Sequence, residues 1–242
     1  MARAPLGRRL AAELVGTAFL SAVVVGSGIA AGHLSPGNVG LQLAENAGAT
    51  GLGLYAIILM FAPVSGAHLN PAVSFVDARL GGLSWRDAFA YLPAQVTGCV
   101  LGAIAANVMF AHAAVSISMK RRASGPHFLA EVVATAGLLL LIFALARTDR
   151  HRATPGAVAA YIASAYFFTS STSFANPAIT VGRMFSNSFA GIAPASVPVF
   201  IGAQIVGSCV ACVAVVLFFP GHDPTDDPLP SALASSPEGS AP

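Results

Sequence analysis

Residues 65–73 read Ser-Gly-Ala-His-Leu-Asn-Pro-Ala-Val, and residues 174–179 read Phe-Ala-Asn-Pro-Ala-Ile. Proline suits the first turn of a helix, where no amide donor is needed, and asparagine is a strong N-cap. Each Asn-Pro-Ala box therefore predicts a helix start, one at Asn70 that runs to about Ala78 and one at Asn176 that runs to about Phe185. A single box could cap any helix, whereas two boxes in one chain indicate that both have the same function.

The surroundings of the boxes are those of a membrane protein. Of 242 residues, 55% are hydrophobic and 9% are charged, against roughly 25% charged in an ordinary soluble domain. Most of the apolar residues form blocks near the length of about 20 residues that a helix needs to cross a bilayer. The six blocks, of which the second and fifth are extended by flanking small residues, are Leu10–Ile29, Leu52–Val64, Ala88–Phe110, Phe128–Ala146, Ala157–Phe168 and Val197–Phe219.

Three landmarks occur twice in the same order. Ala12-Glu13 is matched by Ala130-Glu131, the first Asn-Pro-Ala box by the second, and Ala94-Gln95 by Ala203-Gln204. Each half then holds three spans and one short interrupted segment. An odd number of spans makes the second half enter the membrane from the opposite side, so the site is expected where the two broken segments meet at the midplane.

These patterns predict an all-α membrane protein with six transmembrane helices and two re-entrant half-helices in an inverted repeat. The predicted channel domain covers residues 9–219, with a first half at 9–110, a second half at 127–219 and a joining loop at 111–126. A short N-terminal segment, 1–8, precedes it. The tail, 220–242, is rich in Pro, Ser and Asp, a composition that favours disorder.

Positive residues set the expected orientation, because cytoplasmic loops carry an excess of them. A cytoplasmic N-terminus places Lys120, Arg121 and Arg122, in the loop after the third span, on the outer side, against this rule. Eight arginines then lie inside: Arg3, Arg8, Arg9, Arg79, Arg86, Arg147, Arg150 and Arg152. We therefore expect a multi-pass protein of the plasma membrane with both termini in the cytoplasm.

Two helix starts that face each other at the midplane predict a filter for neutral molecules. The positive dipole ends of the half-helices would repel cations, including hydronium. Each capping asparagine would keep an amide group free to donate to a passing solute. The predicted pore boxes are Asn70, Pro71, Ala72, Asn176, Pro177 and Ala178.

At this point the chain resembles the aquaporin and aquaglyceroporin family, also called major intrinsic proteins. The resemblance covers about residues 8–219 and rests on the boxes, on the two Ala-Glu pairs and on the Ala-Gln motif. It implies six tilted helices and two half-helices around one pore per subunit, assembled as a homotetramer. The second box continues through Thr180 and Arg183, and this extended motif resembles a bacterial subgroup linked with arsenic resistance.

The resemblance also implies a constriction on the outer side of the boxes, at four positions counted from the asparagines. Here these positions are Thr50, Ser164, Ser173 and Ile179. Water-selective members have an aromatic residue at the first position, histidine at the second and arginine at the fourth, and this chain has none of them. A wide, uncharged and moderately polar ring is therefore expected.

The function predicted from this ring is passive passage of small uncharged solutes, such as glycerol-like polyols or neutral metalloid acids including arsenite, together with water. A water-selective aquaporin is one alternative. A secondary active transporter is another, since such proteins share inverted repeats and broken helices. The expected surroundings are the lipid bilayer, water and small solutes, while a net charge of +2 gives no indication of nucleic acid.

Four further residues carry open interpretations. Arg183 either partly replaces the missing filter arginine or reaches the outer vestibule or a carbonyl, and His68 either lines a vestibule or makes a structural hydrogen bond. Glu13 and Glu131 either couple protons or hold the loops that bear the boxes, and their duplication favours the loop-holding role. We assign no catalytic residue, metal or cofactor, and predict that the chain is not an enzyme.

Overall fold

The computed structural model describes residues 4–220. Helices account for the regular structure of this part of the chain, which contains no strand. The helices are α1 (Leu6–Leu34), α2 (Val39–Ser65), α3 (Pro71–Arg79), α4 (Trp85–Met109), α5 (Gly125–Arg147), α6 (Thr154–Phe168), α7 (Pro177–Gly182) and α8 (Val197–Phe218). Apart from Pro220, the tail predicted to be disordered lies outside the described residues, as do the first three residues of the N-terminal segment.

Both short helices begin as their boxes predict. The Asn70 side chain accepts a hydrogen bond from the Ala72 amide, and Pro71 occupies the first turn of α3. The Asn176 side chain accepts from the amides of Ala178 and Ile179 at the start of α7. A 3₁₀ turn, Arg183–Phe185, continues α7 to the predicted end of the second half-helix.

Five helices are long and apolar enough to span a membrane by length and composition: α1, α2, α4, α5 and the segment Pro194–Phe218 that contains α8. The sixth, α6, has 15 residues, or roughly 22 Å at 1.5 Å per residue. The apolar block of the second span began at Leu52, but α2 begins at Val39. Polar residues near its start, including Gln42, Glu45 and Asn46, break the apolar run without ending the helix.

Glycines let the helices of each half approach closely. A Cβ at Gly98 or Gly102 of α4 would clash with the carbonyl oxygens of Leu14 or Ala18 of α1. In the second half, a Cβ at Gly207 of α8 would lie 2.7 Å from the Val132 carbonyl oxygen of α5. These contacts let α4 pack closely against α1 and α8 against α5. Gly202 is different, because nothing lies within 4 Å of its Cβ position.

The two halves have opposite directions through the membrane. The starts of α1 and α4 lie together, since Arg9 Nη2 is 2.7 Å from Asp87 Oδ2, and we call this end of the molecule the N-terminal side. The starts of α5 and α8 lie together at the other end, where the rings of His127 and Phe200 are in contact. We call that end the loop side, because it carries the loop 110–124 between the halves.

Candidate pore

A cavity of about 350 Å³ runs between the two halves. Its wall contains both box asparagines and residues of α1, α2, α5 and α6. Thr154 and Pro155 lie at its N-terminal-side end, and Tyr166 and Arg183 lie towards the loop side. Its lining is mostly apolar with a few convergent polar groups, which is typical of a site for small molecules.

The two boxes meet in this wall and bind each other's loops. Asn70 Nδ2 donates to the Ala175 carbonyl at 2.7 Å, and Asn176 Nδ2 donates to the Leu69 carbonyl at 2.8 Å. Each amide group that was expected to be free for a solute therefore also joins the two halves. An amide NH₂ has two hydrogens, so one joins the halves and the second remains for a solute in the cavity.

Backbone strain accompanies this arrangement. Leu69 and Ala175, which precede the two asparagines, have φ of 52° and 48°. Ala67 and Ser173, two residues earlier, have φ of 47° and 46°. Non-glycine residues seldom adopt this left-handed region, and each costs of order 1–3 kcal/mol unless its surroundings hold it.

Two buried carboxylates hold these strained loops. Glu131 Oε1 accepts from the Phe174 amide at 2.8 Å, and Glu131 Oε2 accepts from the Ala175 amide at 2.9 Å and from Gln204 Nε2 at 2.7 Å. Glu13 makes the equivalent contacts in the first half, to the amides of His68 and Leu69 and to Gln95 Nε2, and also to Ser65 Oγ. These are the contacts that the loop-holding interpretation requires.

Three of the four predicted constriction residues lie in the cavity wall. Thr50, Ser173 and Ile179 are all buried and line it. The assignment of Ser164 was wrong, because this residue is exposed on the outer surface of α6 and its hydroxyl bonds back to the Tyr161 carbonyl. At about 100° per residue, Ser164 faces away from Ile162 and Tyr166, which do line the cavity.

Tyr166 is a pore residue that sequence reasoning missed. Its hydroxyl lies 3.2 Å from the Thr50 hydroxyl, so the two link α6 to α2 at the cavity wall. The helical spacing of Val158, Ile162 and Tyr166 was the signal that could have found it, since all three share one face of α6. Counting back from Asn176 instead assumed that the intervening loop has the family length.

Arg183 lies in the cavity wall and is 1% exposed. Its Nε donates to the Ala190 carbonyl, and its guanidinium carbon lies 3.4 Å from the centroid of the Phe174 ring. Both interpretations of this residue therefore describe part of the geometry. The side chain bonds a carbonyl, and it also borders the pore.

The loop between the halves brings two more cations to the same region. Arg122 is buried and donates to the carbonyls of Gly191 and Phe189. Burial lowers the pKa of Arg122 to about 10, so the group stays charged at neutral pH. Lys120 Nζ donates to the Phe189 carbonyl at 2.8 Å, and burial of the ammonium, together with Arg122 and Arg183, lowers the pKa of Lys120 to about 8.

The cluster Lys120–Arg122 stood out in the sequence because it opposes the charge rule in the orientation that the other positive residues predict. In the structure, Lys120 and Arg122 bond to carbonyls of the segment 189–191, and Arg122 is the buried member, whereas Lys120 and Arg121 are exposed. The charges are thus held as parts of the folded loop. The departure from the charge rule was the signal, but nothing in the sequence indicated which carbonyls they bind.

His68 lies at the N-terminal-side half of the cavity. It lines the wall, its Nδ1 is 3.1 Å from Ser74 Oγ, and its Nε2 is 3.5 Å from Asp77 Oδ2. Asp77 and His151 line the same end of the cavity. The vestibule position and the structural hydrogen bond, which were alternatives, occur together.

The fold and this cavity define a multi-pass membrane channel in which two re-entrant half-helices meet inside the protein. Five helices are long and apolar enough to cross a membrane, and the irregular backbone of the two re-entrant loops lines a cavity inside the protein, where membrane proteins tolerate it.

Comparison with known proteins agrees with this class. The family model described as major intrinsic protein matches residues 1–171. The chain is 45% identical over 206 residues to aquaglyceroporin AqpS of Rhizobium meliloti, covering 85% of this chain and 88% of that protein. The chain belongs to the major intrinsic protein family, and it is a passive channel for small solutes.

More distant relatives extend the comparison. The glycerol uptake facilitator protein of Bacillus subtilis is 32% identical over 94 residues, which is 38% of this chain and 34% of that protein. The X-ray structure of the aquaglyceroporin from Plasmodium falciparum superimposes with a TM-score of 0.67 at 21% identity, covering 87% of this chain and 96% of that one. The structural likeness shows the shared fold.

Proposed function

We propose that this chain conducts uncharged solutes larger than water, namely glycerol-like polyols and neutral metalloid acids such as arsenious acid, with water passing as well. The observation that carries the proposal is Ile179, which lines the cavity where water-selective relatives place an arginine. An aliphatic side chain there offers no charge and no donor fork. The name aquaglyceroporin, carried by a relative that matches most of the chain, supports the same solute class.

The proposal includes the setting of the channel. The chain lies in the plasma membrane with both termini in the cytoplasm, so the loop side faces outward. It assembles as a homotetramer with one pore per subunit, and it catalyses no reaction. The apolar outer surface supports the membrane setting, with exposed side chains such as Leu52, Phe89 and Val213 available to lipid or to neighbouring subunits.

A water-selective channel is the second candidate, and one observation favours it. The hydrogen bond between Thr50 and Tyr166 joins two walls of the cavity and brings an aromatic side chain towards the pore. An aromatic group at this level narrows the passage. The two candidates differ in whether a polyol can pass the level of the pore at which the Thr50 and Tyr166 hydroxyl groups lie.

Stopped-flow light scattering on proteoliposomes distinguishes the candidates. Water, glycerol and arsenite permeation are compared on one preparation, with protein-free liposomes as the reference. Fast entry of glycerol or arsenite supports the proposal. Water flux without either solute contradicts it and selects the second candidate, while solute accumulation against its gradient would indicate a transporter.

A further inference from the structure

Arg183 is a buried cation whose donors are only partly used. Its Nε bond to the Ala190 carbonyl is the one hydrogen bond that its guanidinium makes within residues 4–220. The two terminal nitrogens have no acceptor in that part of the chain, although the side chain lines the cavity. Because the side chain borders the cavity, these nitrogens are available to whatever occupies the pore.

The Phe174 ring fixes the direction of this side chain. The guanidinium of Arg183 lies 3.4 Å from the ring centroid, and that of Arg122 lies 5.3 Å from the same centroid. One phenyl ring thus contacts two guanidinium groups, from α7 and from the loop between the halves. The amide of Phe174 is held by Glu131, so the ring has a firmly placed backbone.

No carboxylate forms an ion pair with either arginine among the described residues. Glu131 is the acidic group that acts on both over a longer distance, and its two oxygens already accept bonds from the loop and from Gln204. With Lys120 nearby, the loop side of the pore carries an excess of positive charge. Low-dielectric walls focus such a field into the passage.

Polar atoms that could share a solute with Arg183 lie in the same wall. Ser173 Oγ is buried and has no hydrogen-bond partner within residues 4–220, and Ser173 lines the cavity together with Thr50 and Tyr166. A guanidinium with two open donors and a free hydroxyl suits a solute with several neutral oxygen atoms.

We propose that Arg183, supported by Arg122 across the Phe174 ring, excludes cations from this pore and orients the hydroxyl groups of permeating solutes, although residue 179 is isoleucine. This assignment rests on the proposed function and adds its specificity-determining residue. The positive charge lies four residues after Ile179, at the start of the 3₁₀ turn that follows α7. The ring at Ile179 thus stays wide while the field of a cation is kept.

The test measures glycerol flux and cation leak on the same proteoliposomes. Glycerol flux is followed by light scattering, and K⁺ and H⁺ leaks are followed by a potential-sensitive and a pH-sensitive dye. The variants are Arg183→Gln, Arg183→Lys and the double variant Ile179→Arg with Arg183→Gln. Arg121→Gln is the matched control, because it removes an exposed charge from the same loop.

The Arg183→Gln variant removes an electrostatic potential of several kT from the passage. The ratio of cation leak to glycerol flux should therefore rise by roughly tenfold or more. Arg183→Lys and the double variant should restore exclusion, and Arg121→Gln should leave the ratio at the wild-type value. Arg183→Gln should also raise the glycerol concentration that half-saturates flux, because two donors are lost. A wild-type ratio in an Arg183→Gln protein that conducts glycerol would overturn the assignment.

Arg122→Gln covers the case in which Arg183→Gln does not fold. The guanidinium of Arg122 lies farther from the Phe174 ring than that of Arg183. Its loss should therefore raise the ratio of cation leak to glycerol flux less than the loss of Arg183 does, but more than the loss of Arg121 does. Equal ratios in Arg122→Gln and Arg121→Gln would again overturn the assignment. Absence of glycerol flux in the wild-type protein would instead refute the proposed function, whatever the leak measurements show.

Discussion

At the scale of single residues, the pore depends on two buried carboxylates, Glu13 and Glu131. Among residues 4–220, no basic side chain bonds to Glu131, which accepts hydrogen bonds from two backbone amides and from the Gln204 amide. In the other half, Glu13 accepts hydrogen bonds from the amides of His68 and Leu69 and from Gln95 Nε2. A buried carboxylate is expensive unless donors surround it, so each glutamate and its loop stabilise one another.

Glu131→Gln should destabilise the protein by about 1–3 kcal/mol, because an amide NH₂ cannot accept from the Phe174 and Ala175 amides as a carboxylate does. Thermal unfolding in detergent and glycerol flux measure the effect, and both should fall. Glu45→Gln is the control, since Glu45 is partly exposed and accepts a bond from Ser35 Oγ. Equal melting temperatures for Glu131→Gln and Glu45→Gln would contradict the loop-holding role.

Lys120 is the only lysine in the sequence, and its pKa is lowered to about 8. The charged form dominates below that pH and the reactive neutral amine above it. A membrane-impermeant amine reagent should therefore label Lys120 with a rate that is half-maximal near pH 8, as read by mass spectrometry of the peptide. An ordinary lysine, with a pKa of about 10.4, would still be gaining reactivity above pH 10.

The same labelling tests the orientation of the chain. In sealed right-side-out vesicles the reagent reaches Lys120 only if the loop side faces outward. Labelling only after permeabilisation would reverse the proposed topology. A rate that continues to rise above pH 10 would show that the ammonium is not held against Phe189.

At the scale of helices, glycine decides how closely two helices approach. Gly98 faces the backbone of α1, Gly182 lies so that a Cβ would be 2.7 Å from the Cys99 carbonyl oxygen, and Gly207 faces the backbone of α5. Backbone atoms cannot move aside as a flexible side chain can. The pairs α1 with α4 and α5 with α8 therefore form the rigid frame on which the half-helices rest.

Gly207→Ala should lower the melting temperature and weaken solute flux, because the added methyl group meets the Val132 carbonyl oxygen and forces α8 away from α5. Overpacking of this kind costs typically 1–3 kcal/mol. Gly202→Ala, in the same helix, meets no atom within 4 Å. It should be neutral or slightly stabilising, since alanine is the better helix former. Indistinguishable melting curves would refute the close-packing explanation.

At the scale of the whole molecule, the pore wall is assembled from segments that are distant in the sequence. Thr50 comes from α2, Tyr166 from α6, Ser173 from the second re-entrant loop and Ile179 from α7. No single element forms this wall by itself. Loop length and helix phase together decide which side chains share one level of the passage.

Tyr166→Ala should widen this level and increase glycerol permeation relative to water, because it removes the aromatic group and frees the Thr50 hydroxyl. Stopped-flow measurement of both solutes on one preparation gives the ratio. Ser164→Ala is the control, since Ser164 is exposed on the outer surface of α6. A larger change for Ser164→Ala than for Tyr166→Ala would restore the original count from Asn176.

The sequence by itself determined the features that depend on local chemistry and on repetition. Proline and asparagine define where α3 and α7 begin, because capping involves only neighbouring residues. The apolar blocks and the duplicated landmarks indicated the spans and the inverted halves. The second span differed most from its helix, since the polar start of α2 hides its length.

Only the tertiary structure decided which side chains surround the pore. The length and path of the loop 169–176 decide which face of α6 points into the pore. That face carries Tyr166 and not Ser164. The path of the loop 110–124 brings Arg122 to the ring that Arg183 also contacts. Such contacts join residues far apart in the chain, and their geometry follows from the packing of helices and loops, which no local pattern of residues records.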